Sequence, residues 1–254
     1  EENWAIRKAM RTNSSGDEEL SMQVKMKLSR SALAVVEFIN GSVLMGLPAN
    51  RLLRQAEADG GAPHGTWRQL GRLMALDMLL NNLDRLPLAW TNDGNLGNVM
   101  IGSRQGDVVG IDQSVHPILH PEGLQRYLGR VREAALEARD GAGGHFGAVA
   151  AAILTNTGVQ LAADEVRSLR GGCLELLREV ARQEASGELE QALTSVSAES
   201  LRAFADVEEF GGDIQQAGQE NGRRVATFCR LVRDVASVAK RALAEAPSCA
   251  GRSP

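Results

Sequence analysis

Residues 79–115 read LLNNLDRLPLAWTNDGNLGNVMIGSRQGDVVGIDQSV. The stretch leaves an apolar helical pattern, crosses a loop rich in Asn, Asp, Pro and Gly at 82–97, and closes in two short apolar runs. Val99, Met100 and Ile101 make the first run and residues 108–111 the second, so a β-hairpin is predicted with its turn at 103–107. A hairpin brings its strand ends together. Asn98, just before the first strand, and Asp112, just after the second, therefore share its open end. Asp84, in the loop leading in, can face the same space. An amide oxygen and a carboxylate make a hard-oxygen pair suited to Mg²⁺. A second carboxylate nearby can orient and deprotonate a hydroxyl.

The flanks supply a frame for this hairpin. Trp67, Leu70, Leu73, Met74 and Met78 recur at helical spacing, and Thr66 with Gln69 has the spacing of a capping box, so a helix is predicted over 66–81. Residues 56–65, rich in Gly and Pro, read as an exposed loop. Further upstream, Met22, Val24, Met26 and Leu28 alternate as in a half-buried strand. Residues 33–39 form an apolar run broken only by Glu37, the pattern of a buried strand that Asn40-Gly41 would end. Residues 1–12 suit a short helix. After Asp112 the chain reads mostly as helix, most clearly over 223–244, where Val225, Phe228, Leu231, Val232, Val235, Val238 and Ala239 trace one face. Breaks are expected near 141–147, 171–172, 186–187 and 211–222. The predicted class is α+β, with a small β-containing lobe over 1–48 and a larger helical lobe over 49–254.

The 254 residues hold 28 Lys+Arg against 32 Asp+Glu, a net charge of −4, which argues against bulk nucleic-acid binding. With 43% hydrophobic residues a sizeable core can be buried. No apolar run approaches the roughly 18 residues of a membrane helix. The opening Glu1, Glu2 and Asn3 do not resemble a signal peptide. Cys173, Cys229 and Cys249 are odd in number and far apart, as in a reduced, cytoplasmic protein.

Asp84, Asn98 and Asp112, in this order, follow the layout of phosphoryl transfer in protein kinases, where a loop Asp takes the nucleophile's proton while an Asn and a later Asp hold metal. The stretch resembles the actin-fragmin kinase catalytic domain, an atypical kinase related in shape to the phosphatidylinositol-kinase-like group. It is similar as well to the kinase domain of the plant tubulin kinases that carry a dual-specificity phosphatase. The resemblance rests on Asn82, Asp84-Arg85-Leu86-Pro87, Gly94-Asn95, Asn98 and Gly110-Ile111-Asp112-Gln113. It implies a bilobal protein-kinase-like fold, ATP and Mg²⁺ as cofactors, and a Ser/Thr hydroxyl on a cytoskeletal protein, actin or tubulin, as acceptor. It implies Asp84 as catalytic base and Asn98 and Asp112 as metal ligands. Glu37, Phe38 and Ile39 correspond to the hinge between lobes, whose backbone would bond the adenine edge.

Two departures stand out. Thirteen residues, 85–97, separate Asp84 from Asn98, against about four in ordinary protein kinases; the actin-fragmin-like kinases also carry a longer loop here. No Gly-rich phosphate loop and no evident phosphate-binding Lys is present, and Lys25 and Lys27 lie on a later strand. If residues 1–12 are the first helix of the fold, both elements lie upstream of Glu1, and the chain, which does not begin with Met, is a fragment. Two rival readings follow: a pseudokinase-like binding module, or a kinase of the same fold acting on a lipid or small molecule.

Taken singly, each residue has a plainer reading. Asp84 could be a turn residue paired to Arg85, Asn98 a loop residue, and Asp112 a strand-end cap. Arg85 reads as a brace of the loop, Asn95 as a turn residue, Asn82 as a helix cap and Trp67 as packing. His116 and His120 are four apart, but Pro117 and Pro121 break any helix that would pair them on a metal.

Overall fold

Ala49, Leu53, Trp67, Leu70, Met74 and Met78 sit at helical intervals, and all six are buried in helices that build the core beneath the hairpin. The computed structural model describes residues 40–58, 63–87, 89, 94–102, 107–113, 115–205 and 213–245. The chain divides into two units, Glu1–Ile39 and Asn40–Pro254, and all of these residues belong to the second. The expected helix at 1–12 and strands at 22–28 and 33–39 lie outside the described residues.

Strand β1 (Gly41–Val43) is followed by helices α1 (Gly46–Ala58) and α2 (Pro63–Leu80). Strands β2 (Val99–Gly102) and β3 (Val108–Gly110) form the hairpin. The sheet is antiparallel in the order β1-β2-β3, with Val43 opposite Met100 and Met100 opposite Val109. Val99 and Ile101 point from β2 into the core, while Met100 and Val109 are half-buried and Val43 is exposed on the other face. The chain then turns helical: α3 (Pro121–Asp140), α4 (His145–Thr157), α5 (Ala163–Ser186), α6 (Glu188–Ala205) and α7 (Asp213–Ala244). Gly141, Gly158 and Gly187, each left-handed, stop α3, α4 and α5. The described part is thus mostly helical with one small antiparallel sheet, compatible with the α+β expectation. Among the described residues no helix is long and apolar enough to cross a membrane.

Helix α2 is the central strut. It buries Trp67, Leu70, Met74 and Met78 against α5 residues Leu169, Cys173, Leu177 and Val180. Four such side chains are worth on the order of 10 kcal/mol, enough to outweigh the several kcal/mol that one buried carboxylate costs. That carboxylate, Asp77, lies on the same helix. The two backbones meet at reciprocal glycines. A Cβ on Gly71 would lie 1.9 Å from the carbonyl oxygen of Leu169, and one on Gly172 would lie 1.9 Å from that of Arg68. At the start of both helices, the Trp67 indole donates to Glu165 Oε1 at 2.7 Å, and Glu165 Oε2 accepts the Ala162 N–H at 2.6 Å. The stripe on α7 is core packing, with Leu231, Val235, Ala236 and Ala239 buried in the main cluster.

Four local expectations are corrected. Helix α2 begins at Pro63, where a proline at the first position needs no N–H, so Thr66 and Gln69 are interior and form no capping box. Gln69 Oε1 instead accepts the Val108 N–H at 3.0 Å. The loop expected at 56–65 is mostly helix, since α1 reaches Ala58. Gly171 and Gly172 do not break α5, because the close crossing with α2 offsets their poor helix propensity. Helix α7 begins at Asp213, ten residues before the stripe.

Candidate active site

The site begins where α2 stops. Asn81 is left-handed, with φ of 50°. Its N–H donates to the Met78 carbonyl at 3.4 Å, and the Asn82 N–H donates to the Asp77 carbonyl at 2.9 Å. This is a Schellman stop with Asn where Gly is usual, so Asn82 does cap the helix, through its backbone. The Asn82 side chain faces two ways. Its Nδ2 donates to Asp77 Oδ1 at 3.1 Å, and its Oδ1 accepts the Asp84 N–H at 3.2 Å. Asn82 also bridges to Val115, and Asn81 Nδ2 donates to the His116 carbonyl at 2.6 Å. Both ends of the loop-and-hairpin segment are thereby pinned to the end of α2.

A short 3₁₀ turn, Leu96–Asn98, delivers Asn98 to β2. Asn95 Oδ1 accepts the Gly97 N–H at 3.1 Å, and its carbonyl accepts the Asn98 N–H at 3.0 Å, which is the expected turn role. Asn98 Nδ2 then donates to the Asp84 carbonyl at 2.8 Å and to Asp84 Oδ2 at 3.0 Å. Both partners are acceptors, so the amide must present its nitrogen to Asp84, and its Oδ1 is turned elsewhere. Asp84 itself is exposed.

Arg85 is the hub beneath. It is 1% exposed. Its Nε donates to the Asn98 carbonyl at 3.1 Å and its Nη2 to the Ile111 carbonyl at 3.2 Å, while Nη1 pairs with Asp77 Oδ1. The Ile111 N–H donates to the Asn98 carbonyl at 2.9 Å, closing the hairpin. Gly110 lies flat on the guanidinium: a Cβ there would sit 2.7 Å from Arg85 Cζ. Asp112 follows at once, exposed and left-handed with φ of 49°, a conformation that Asp adopts more readily than most residues. The expected brace role of Arg85 is therefore seen directly. Asp84 and Asn98 touch, and Asp112 follows directly on Ile111, whose N–H bonds the Asn98 carbonyl. Glu37, Phe38 and Ile39 lie outside the described residues.

The charges are sorted by depth. Asp84 and Asp112 are exposed, and the Arg85 charge is matched underneath by Asp77, so the open surface presents carboxylates. Asp77 is 7% exposed, and its Oδ2 is buried without a hydrogen-bond partner. Burial pushes its carboxyl up to about 7, against the attraction of Arg85 and the bond from Asn82. The Tyr127 hydroxyl, which donates to the Met78 carbonyl, is raised by burial and by Asp77. The Cys173 thiol is pushed up to about 12 by burial and by Glu137, which removes it as a nucleophile.

Asp77 escaped the sequence reading. Its signal was a lone acidic residue on the apolar face of a helix, seven residues after Leu70 and three after Met74, with a lone arginine just past the helix end. A charge in that position is rarely buried without a partner.

Residues 1–118 match the family described as actin-fragmin kinase, catalytic. The match covers the whole loop and hairpin and ends before α3 begins at Pro121. No curated protein matches the chain.

Proposed function

Starting from a first 118 residues that match the actin-fragmin kinase catalytic family, we propose that this chain is the core of an ATP- and Mg²⁺-dependent protein kinase acting on Ser/Thr hydroxyls. The observation that carries the reading is the contact of Asn98 Nδ2 with Asp84 at 3.0 Å, on a hairpin whose other end presents Asp112. The donor set fits the metal: one amide oxygen and one exposed carboxylate are hard ligands, and Mg²⁺ commonly takes its remaining ligands from water and substrate phosphates. When bound, Mg²⁺-ATP supplies the phosphoryl group and a positive charge against its oxygens.

The residues of this chain then divide the work. Asp84 receives the acceptor's hydroxyl proton, and Asn98 holds the Asp84 carboxylate in place through Nδ2 while offering Oδ1 to the metal. Asp112 supplies the second ligand. The half-open apolar row of Val43, Met100 and Val109, on the sheet face away from the core, offers a surface for a planar base. Actin is the acceptor that the family name suggests, tubulin the alternative that the resemblance to the plant tubulin kinases adds, and a cytoplasmic location would follow from either.

Calorimetry of ATP binding in the presence and absence of Mg²⁺ tests the site. Wild type should bind ATP only with Mg²⁺, Asp112→Ala should lose that binding, and Asp84→Asn should keep it while losing phosphoryl transfer to actin or tubulin by about 10²-fold or more. Equal binding by wild type and Asp112→Ala would reject the metal assignment. Binding without transfer to any hydroxyl acceptor would leave the binding-module reading in its place.

A further inference from the structure

We propose that Asp77 is a positioning residue for the metal site: acting through Arg85, it sets the spacing of the Asp84–Asn98 pair relative to Asp112. The inference rests on the kinase reading of those three residues.

Its basis is how Arg85 spends its donors. A guanidinium and a carboxylate pair most strongly side by side, with two parallel bonds. Arg85 and Asp77 do not pair so. Only Asp77 Oδ1 is engaged, by Arg85 Nη1 and by Asn82 Nδ2, and Oδ2 is left buried without a partner. The other two directions of the guanidinium go to the carbonyls of Asn98 and Ile111. One of these belongs to a proposed metal ligand, and the other adjoins the second. A planar group held on one side by α2 has no freedom left on the other sides. The orientation of Asp77 therefore fixes where the two strand ends sit. Gly110 lies flat against the guanidinium, where a Cβ would sit 2.7 Å from Arg85 Cζ, so no side chain at that position is compatible with this arrangement.

A purely stabilising role accounts for this less well. Buried ion pairs are often matched or bettered by apolar residues of similar volume, and this one leaves an oxygen unpaired in a helix otherwise rich in apolar contacts. The cost is understandable if the pair's task is geometric. Asp77 touches neither substrate nor metal; its effect passes through Arg85, and secondarily through Asn82, which bonds both Asp77 Oδ1 and the Asp84 N–H.

The test is the Mg²⁺ concentration that half-saturates ATP binding to the full chain, read by calorimetry with ATP as the probe. Asp77→Asn keeps the shape and removes the charge. It should raise the midpoint about tenfold, the lower end of what second-layer substitutions do at metal sites. Leu193→Ala, in the separate small cluster with Cys229 and Val232, should lower the melting temperature and leave the midpoint at its wild-type value. Arg85→Lys gives an independent check: it keeps a charge opposite Asp77 but cannot reach both carbonyls, so the midpoint should rise likewise. An unchanged midpoint in folded Asp77→Asn overturns the proposal, as does failure of both site variants to fold, which would make the pair structural. If wild type binds no Mg²⁺-ATP, the kinase reading itself falls; if wild type binds and only the Asp77→Asn shift is missing, the kinase reading stands without this addition.

Discussion

A single arginine organises the site at the residue scale. Its side chain reaches a helix and both strand ends, and its carbonyl accepts the Asn95 N–H of the inserted loop at 3.1 Å. The exposed ion pairs elsewhere, such as Arg233 with Glu190 or Arg132 with Glu245, are screened by solvent, and their loss should be felt little. Asp77 is different because it is buried. Its folded-state pKa, about 7, is raised above the ordinary 3.8, chiefly by burial. A group raised in this way favours the folded state most below its unfolded pKa, and that contribution is lost as pH rises through the folded value. Asp77→Asn, which cannot ionise, should therefore improve relative to wild type between pH 4 and 7. Denaturant unfolding of both proteins at pH 5 and pH 8 measures this. The difference cancels the exposed carboxylates lowered by arginine partners, Glu175 and Glu190, which act in the opposite direction. A stability difference that does not move with pH would show that Asp77 stays ionised throughout.

Elements meet here through backbone as much as through side chains. The hairpin is attached to the end of α2 by Asn81, Asn82 and Arg85, so the height of α2 in the core sets the height of the site. That height depends on the α2–α5 crossing at Gly71 and Gly172. Gly172→Ala places a methyl where the Arg68 carbonyl already lies, 1.9 Å away, and neither helix backbone can swing aside as a side chain could. The expected cost is about 1–3 kcal/mol, or a melting-temperature drop of several degrees at roughly 2–4 °C per kcal/mol. Thermal unfolding followed by circular dichroism checks it. A variant as stable as wild type would mean that the crossing opens freely and does not fix the level of the site.

For the molecule as a whole, the loop and hairpin rest on one continuous core that runs from β2 through α2, α3, α5 and α7. Ligand binding at the rim should therefore stabilise the whole folded unit. Mg²⁺ and ATP together, at about 100 times the dissociation constant, should add about 2.7 kcal/mol, seen as a melting-temperature rise of roughly 5–10 °C. Either alone should shift it far less, and Asp112→Ala should abolish the rise; equal shifts with and without Mg²⁺ would contradict a shared site. The hairpin, the helix that feeds it and the order Asp84, Asn98, Asp112 were legible in the chain, because alternation, helical spacing and turn residues are local signals. The apolar stripe on α7 was legible for the same reason. The start of α2 and the unbroken course of α5 were misread, because a proline at a first turn and a glycine at a helix crossing carry the same letters as loop residues. The pairing of β1 with β2 joins residues nearly sixty positions apart, and no local pattern announces it. Asp77 belongs with these. As a sequence it is one acid on an apolar helix face, and only the fold, by bringing Arg85, Asn98 and Ile111 to it, turns that acid into the anchor of the site. Local periodicity marks which segments become helix or strand; what their side chains hold, and at what distance, is decided by packing between parts of the chain that have no neighbourhood in sequence.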